Sequence, residues 1–342
     1  MFTLIKDIVS FINLKKNTKE IRVGFFSENN FIYEYLEPYI LNKLKKHKIL
    51  VISFEDLSKE YLNKKNVFIF KTKLIQELVF LTLKLKYLYS STPDLGYTIF
   101  KRTKFSSCKY IYLSHTPVSM TLIYRPNSFS NFDAVQVTNE YQFKEMNEIK
   151  GKNNLKIKIF KSKYLFVKQQ QKKISTKKSE YDVLIAPSWN SNFYNTGCHI
   201  KLIELLKKKN LSYRLRPHPM SYKKKEIDKK ELEEKDVLFD NDKLINFKKF
   251  KFIISDWSGI FIEYSLIFRK KAFLINTPKK MVNNDYDKYK NKPIEITMRD
   301  TLGESYEIDN IPQLIDRLYN LKKEQTNSED KKFNQIIDNN FY

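Results

Sequence analysis

The sequence predicts an α/β protein of two halves, each a parallel sheet packed by helices. Short apolar runs of strand length alternate with amphipathic stretches of helical period along most of the chain, as parallel β/α layers do. The alternation stops at a polar stretch without periodicity, residues 166–180, and then restarts. A chain of 342 residues, 42% of them hydrophobic, can fill two cores.

Residues 1–165 form the first half. Its opening segment carries Lys6 and Asp7 inside an apolar stretch and lacks a small-residue cleavage site, so it does not read as a secretory signal. Lys15, Lys16 and Lys19 follow the apolar run from Phe2 to Leu14, a combination suited to a membrane interface. Ile21 to Phe26 reads as the first strand, and Phe31 to Lys46 as a helix in which Pro38 marks a kink or the true start. Ile49 to Ser53 and Val67 to Phe70 are strands, and Ile75 to Leu85 is a helix closed off by Ser91-Thr92-Pro93. Tyr110 to Ser114 is a buried strand ending at His115. Ala134 to Val137 is another, feeding a helix from Glu140 to Lys150.

The linker, 166–180, is followed by the second half, 181–324. Asp182 to Ala186 is a strand, Thr196 to Lys209 a helix, and Ser212 to Arg216 a strand ending at Pro217-His218-Pro219. Lys223 to Lys235 is a charged, exposed stretch. Phe252 to Ser255 is a strand, Gly259 to Phe268 a helix, Ala272 to Ile275 a strand and Ile311 to Lys322 a closing helix. Residues 325–342 read as a frayed tail. Two such halves are expected to bind ligands at the carboxyl ends of their strands, in a cleft between them.

The 63 Lys and Arg against 39 Asp and Glu give a net charge of +24, which suits nucleic acid, an anionic membrane face or phosphorylated substrates. Only 6 Gly, with abundant Lys, Asn, Ile, Tyr and Phe, also fits an AT-rich genome that favours Lys codons. The lysines are spread along the chain without a nucleic-acid-binding signature, which argues against nucleic acid. Cys108 and Cys198 stand alone, so neither a disulfide framework nor a zinc site is expected, and a reducing compartment fits. No apolar run approaches bilayer length; Leu78 to Leu83 is typical.

Two of the 4 histidines, His115 and His218, follow strands in separate halves, where α/β ligand sites form. Ser255-Asp256-Trp257-Ser258-Gly259 runs from a strand into a helix start, a place for an anion or a plain helix cap. Pro187-Ser188-Trp189 ends another strand, and Trp189 suits either stacking on a base or packing. In Arg216-Pro217-His218-Pro219 the prolines fix the backbone; Arg216 suits a diphosphate and His218 a proton or hydrogen bond.

Taken in order, Pro187-Ser188-Trp189, Arg216-Pro217-His218-Pro219 and Ser255-Asp256-Trp257-Ser258-Gly259 with Glu263 resemble the donor half of the CDP-glycerol glycerophosphotransferases, builders of teichoic-acid-type and capsular polymers. Ser91-Thr92-Pro93 and the strand end Ser114-His115-Thr116 resemble the acceptor half. The likeness spans roughly residues 90–305 and departs from the family at Thr116 and Asn190, where Gly is usual. It implies a GT-B architecture, two Rossmann-like domains facing each other across a cleft. The implied enzyme moves glycerol phosphate or a related polyol phosphate from a CDP-linked donor to a hydroxyl of a surface polymer or its lipid-linked precursor, releasing CMP. His115 is then the general base. Arg216, His218 and the N–H groups at Ser258 and Gly259 hold the diphosphate, with Glu263 for the ribose. Ser91, Thr92, Ser114 and Thr116 lie on the acceptor side. No cofactor or metal is expected, and the location implied is the bacterial cytoplasm, at the anionic inner face of the membrane. A GT-B sugar transferase or nucleotide-sugar epimerase shares this fold and much of the site, and a basic nucleic-acid-binding protein is the reading from another class.

Overall fold

The structure, a computed structural model, describes residues 2–57, 66–103, 107–173, 179–189, 191–242, 245–324 and 331–341. In the first half α1 (Phe2–Asn17), β1 (Val23–Ser27), α2 (Asn30–Leu44), β2 (Ile49–Ser53), β3 (Val67–Ile69) and α3 (Lys73–Thr82) come first. They are followed by β4 (Tyr87–Ser90), β5 (Lys109–Leu113), β6 (Ala134–Val137), α4 (Glu140–Lys152), β7 (Lys158–Lys161) and α5 (Leu165–Lys173). The second half opens with β8 (Tyr181–Ile185), α6 (Ser191–Asn195), α7 (Cys198–Lys208), β9 (Tyr213–Leu215), α8 (Pro219–Lys223) and α9 (Lys229–Glu234). It continues with β10 (Phe250–Ser255), α10 (Ile260–Phe268), β11 (Ala272–Ile275), α11 (Ile294–Thr297), α12 (Arg299–Leu302), β12 (Gly303–Tyr306), α13 (Ile311–Glu324) and α14 (Lys331–Asn340).

These elements make two compact units. The first runs through Gln169 and includes Asn283–Asn291 and the segment at Phe341; the second holds Gln170–Val282 and Lys292–Asn340. Within the first unit, Asn283 donates from its backbone to the Leu122 carbonyl (3.1 Å) and from its amide to Thr121 (2.8 Å), while Glu148 accepts from the Lys290 N–H at 2.7 Å.

The first sheet has seven parallel strands in the order β3-β2-β1-β4-β5-β6-β7. Both faces are covered, so its inner strands are mostly apolar on both faces, with Ser27, Ser53 and Ser90 at the carboxyl ends of β1, β2 and β4. Phe25, Ile49 and Val51 pack on the α2 side with Leu36 and Ile40; Phe26, Leu50 and Ile52 pack on the opposite side with Val79 and Phe80 of α3. The second sheet has five parallel strands in the order β12-β11-β10-β8-β9. Strand order reverses between β1 and β4 in one unit and between β8 and β10 in the other. Such switch points leave a crevice at the carboxyl ends of the strands.

Several expectations are corrected. The linker is helical from Leu165 to Lys173, because Phe166 and Val167 are buried and the Lys and Gln that follow favour helix. The tail forms α14 over Lys331–Asn340, with Phe333 and Ile337, one turn apart, buried. The helix expected over 196–209 is present as α7 but begins two residues later, after Gly197, whose φ of 67° suits glycine and which caps it. Pro38 lies inside α2 and does not mark its start; Asn29 caps the start, accepting from the Ile32 N–H at 2.9 Å.

Candidate functional site

At the switch point of the second unit, the loops after β8 and β10 are tied together. Asp256 is fully buried and accepts from the Ser188 N–H (2.7 Å) and hydroxyl (2.8 Å). Burial pushes its carboxyl up, with the two Ser188 bonds opposing. Ser255 gives its hydroxyl to the Ala186 carbonyl at 2.7 Å. From β11, the Thr277 carbonyl accepts the Trp257 indole N–H at 2.7 Å. Arg299, which lies 4.1 Å over Trp257, donates to the carbonyls of Asp256 and Ile275. Ser188, Ser255 and Asp256 were expected to touch the donor. Their polar atoms point inward instead, and they fix the shape of the crevice.

Beyond this brace, α10 begins at Ile260 with Gly259 as its cap and no side chain covering the first turn. Phe261 and Ile262 donate within the turn, to the carbonyls of Ser258 (3.4 Å) and Gly259 (3.1 Å), so an anion would be met by the N–H groups of Gly259 and Ile260. The Gly259 φ of −59° is open to any residue, so the backbone does not require glycine here. Ser258 and Gly259 are half-buried beside it. Glu263, at 3% exposure, is buried in the first turn of α10, where the helix dipole favours a carboxylate.

Arg216 also takes a different place. Its guanidinium donates to Asp240 at 2.7 Å and to the Asp242 carbonyl at 2.8 Å, and Asp240 is 5% exposed. The positive charge faces a buried carboxylate, so in this structure Arg216 anchors the β9 end. His218 caps α8 by accepting from the Met220 N–H through Nδ1 at 3.1 Å. The acceptor role fixes the tautomer with the proton on Nε2. Burial, helped by the Lys280 charge, pushes this imidazole down to about 3, so it is neutral.

The cations of the site come from residues that no motif announced. Lys224, at the end of α8, and Lys280, after β11, each place Nζ 4.1 Å from the Trp189 ring. Trp189 is thus a platform for two ammonium groups in this structure. Burial pushes Lys280 down to about 8, although Asp256, Glu295 and Glu226 hold its proton. The Lys279-Lys280 pair looks like any other charged stretch of this Lys-rich chain, so only the fold reveals it.

In the first unit the hydroxyls expected on the acceptor side are mostly internal. Ser91 donates to the Leu113 carbonyl at 2.7 Å, and Ser114 to the Thr116 carbonyl at 2.8 Å. Gln142 donates to the Ser114 hydroxyl and to the carbonyls of Thr116 and Val118. Ser91 and Ser114 are fully buried, and with Gln142 they hold the loop carrying His115. Two polar atoms there remain buried without a hydrogen-bond partner among the described residues: His115 Nδ1 and Thr92 Oγ1. The His115 ring meets Tyr35 edge-on at 5.8 Å, and its carbonyl accepts from the Tyr164 hydroxyl at 2.8 Å. Burial pushes the imidazole down to about 4, with the nearby Ser91 backbone opposing. Neutral, it can take a proton. A cavity of about 350 Å³ in this unit, lined by Tyr39, Tyr89, Leu113 and Gln136, contains none of these candidates. Among the described residues no group of three His, Cys, Asp or Glu could hold a metal ion, and no helix is long and apolar enough to cross a membrane.

No protein-family profile matches the chain, and no curated protein matches it in sequence. The likeness to the CDP-glycerol glycerophosphotransferases therefore rests on its residues alone. Solved structures do match. UDP-N-acetylglucosamine 2-epimerase from Rickettsia bellii is 12% identical, with a TM-score of 0.50 over 89% of this chain and 95% of that one. UGT71G1 of Medicago truncatula, complexed with UDP-glucose, is 8% identical, with a TM-score of 0.47 over 95% and 99%. MurG of Acinetobacter baumannii is 8% identical, with a TM-score of 0.44 over 92% and 98%. With two parallel, doubly wound sheets in one chain, the fold is GT-B-like, made of two Rossmann-like units.

Proposed function

We propose that this chain is a transferase that holds a nucleotide-diphosphate donor at the strand ends of its second unit. The observation that carries the reading is the pair of ammonium groups, Lys280 and Lys224, over Trp189, with neutral His218 near Lys280, at the switch point of that sheet where α10 starts after β10. Two ammonium groups, an imidazole N–H and backbone N–H groups suit a diphosphate and the charge that grows on a leaving nucleoside monophosphate. The residue pattern favours CDP-glycerol, or a related CDP-linked polyol, as donor.

In the proposed reaction an acceptor hydroxyl oxygen bonds to the phosphorus that carries the polyol, and the bond from that phosphorus to the CMP oxygen breaks. His115 takes the hydroxyl proton, and CMP leaves with the electron pair, neutralised by Lys280 and its neighbours. An incoming anion raises the His115 pKa from its ligand-free position and so strengthens it as a base. The acceptor proposed is a surface polymer or its lipid-linked precursor. A second reading, a sugar transferase or nucleotide-sugar epimerase, is favoured by the fold it shares with the Rickettsia bellii enzyme.

Trp189 gives a direct test, because a ligand that draws Lys280 or Lys224 off the ring changes its fluorescence. Titration with CDP-glycerol, CDP-ribitol, UDP-N-acetylglucosamine and UDP-glucose, followed by assay of released CMP or UDP, separates the readings. Binding of CDP-polyols with CMP release supports the first, and a preference for UDP-sugars moves the assignment to the second. No response to any nucleotide donor sinks both.

A further inference from the structure

The outward face of α1 is apolar. Phe2 is 73% exposed, Ile5 and Val9 each 53%, Ile12 49%, Ile8 41% and Leu4 39%. At 100° per residue these six side chains cover an arc of about 160°, nearly half the helix. The opposite face is the anchor. Leu14 is in the core, and buried Asp7 accepts from the backbone N–H groups of Lys71 (2.9 Å) and Thr72 (2.6 Å) at the start of α3. Lys15 reaches the Thr82 carbonyl at the other end of α3. The two helices thus run side by side, and α3 adds Leu74 and Leu78, 65% and 37% exposed.

Charge identifies what covers this face. The only acid of α1, Asp7, is turned inward. Lys6, Lys16 and Lys19 are exposed around the apolar arc, as is Lys73 at the start of α3, whereas Lys71 pairs with Asp56 at 2.5 Å. An apolar stripe of this size is uncommon on an isolated soluble surface. A second copy would bring the same lysines against these, a like-charge contact, whereas an anionic lipid surface takes both the apolar side chains and the ammonium groups.

We infer that α1, with Leu74 and Leu78 of α3, is a docking face for an anionic bilayer, on which the helix lies in the interface plane. The test is co-sedimentation of the full chain with vesicles of phosphatidylcholine alone and with 30 mol% phosphatidylglycerol, at about 0.05 and 0.5 M salt. The expected result is binding that is at least tenfold stronger to the anionic vesicles and weakened by salt. Ile5→Asp/Val9→Asp, at exposed positions, should lose at least tenfold of that binding and keep the thermal midpoint. Equal binding to neutral vesicles, no binding to either, or an unchanged double variant overturns the inference. So does a dimer in sedimentation velocity that the double variant splits, since the face then belongs to a second copy.

Discussion

Replacing Lys280 by Met should weaken donor binding while leaving the fold intact. The ammonium sits 4.1 Å from the Trp189 ring and within range of Asp256, Glu295 and Glu226. A charge-assisted hydrogen bond to a phosphate is worth about 1.5–3 kcal/mol, so the dissociation constant should rise by about 10- to 150-fold. Methionine keeps most of the buried stem. Removing a partly desolvated ammonium relieves a cost that offsets the lost attraction to the acids, so the thermal midpoint should move little.

The pH dependence is a sharper signature. Burial leaves the Lys280 pKa at about 8. With a titration there, the ammonium is about nine-tenths protonated at pH 7 and about one-tenth at pH 9. Donor affinity should therefore fall about tenfold between pH 7 and pH 9. A bound anion raises the pKa, so binding at pH 8 should take up close to half a proton, visible by calorimetry in buffers of different ionisation enthalpy. Lys280→Met should abolish both effects. Unchanged affinity in the variant, or no proton uptake by the parent, would refute the assignment.

The Arg216–Asp240 pair should matter for stability: Arg216→Ala leaves a buried carboxylate unpaired and should cost about 3 kcal/mol in urea unfolding, whereas a loss of donor affinity without destabilisation would restore the clamp. His218 has its pKa pushed down by burial, so the unfolded chain binds a proton below about pH 6.5 that the native imidazole refuses until about pH 3. Stability should thus fall with falling pH in that window, by about 1.4 kcal/mol per pH unit for this histidine. His218→Asn, which keeps a capping oxygen, should remove that share of the slope between pH 6.5 and 5, and an unaltered slope counts against a buried neutral imidazole. Asp256, raised by burial, works in the opposite direction but equally in both proteins. His115→Ala should cost about two to four orders of magnitude in turnover with little change in donor affinity, and near-normal turnover places the base elsewhere.

The α/β alternation was legible because strands buried on both faces, such as Ile49–Ser53, are short and apolar up to their last residue. β4 was missed although it lies at the centre of its sheet. Tyr87–Ser90 is only four residues and follows the apolar end of α3 too closely to stand apart. β7, Lys158–Lys161, is an edge strand, and its exposed lysines hide it among the loops. The strand ends were placed well, but which of their polar groups turn inward depends on partners in other strands. Nothing near Asp256 in sequence announces Ser188, and nothing near Arg216 announces Asp240.

That division of labour has a physical reason. A buried Ser or Asp at a strand end must satisfy its hydrogen bonds within the protein, so Ser188, Ser255 and Asp256 become braces, and an anion must be met by groups that reach in from outside the brace. In the proposed site Lys280 and Lys224, held over Trp189 in this structure, would do so on flexible stems. The Lys280 charge also keeps its neighbour His218 neutral, since both cannot be protonated cheaply in one desolvated crevice. The imidazole therefore supplies an N–H without supplying charge, and near neutral pH it cannot take over the role of the ammonium. In Lys280→Met the His218 pKa should rise, because burial alone then depresses it. Donor affinity in that variant should then recover in part as the pH is lowered towards 5, the reverse of the parent's alkaline loss. An affinity that stays low and flat from pH 8 to 5 would mean that His218 lies beyond reach of the donor phosphates.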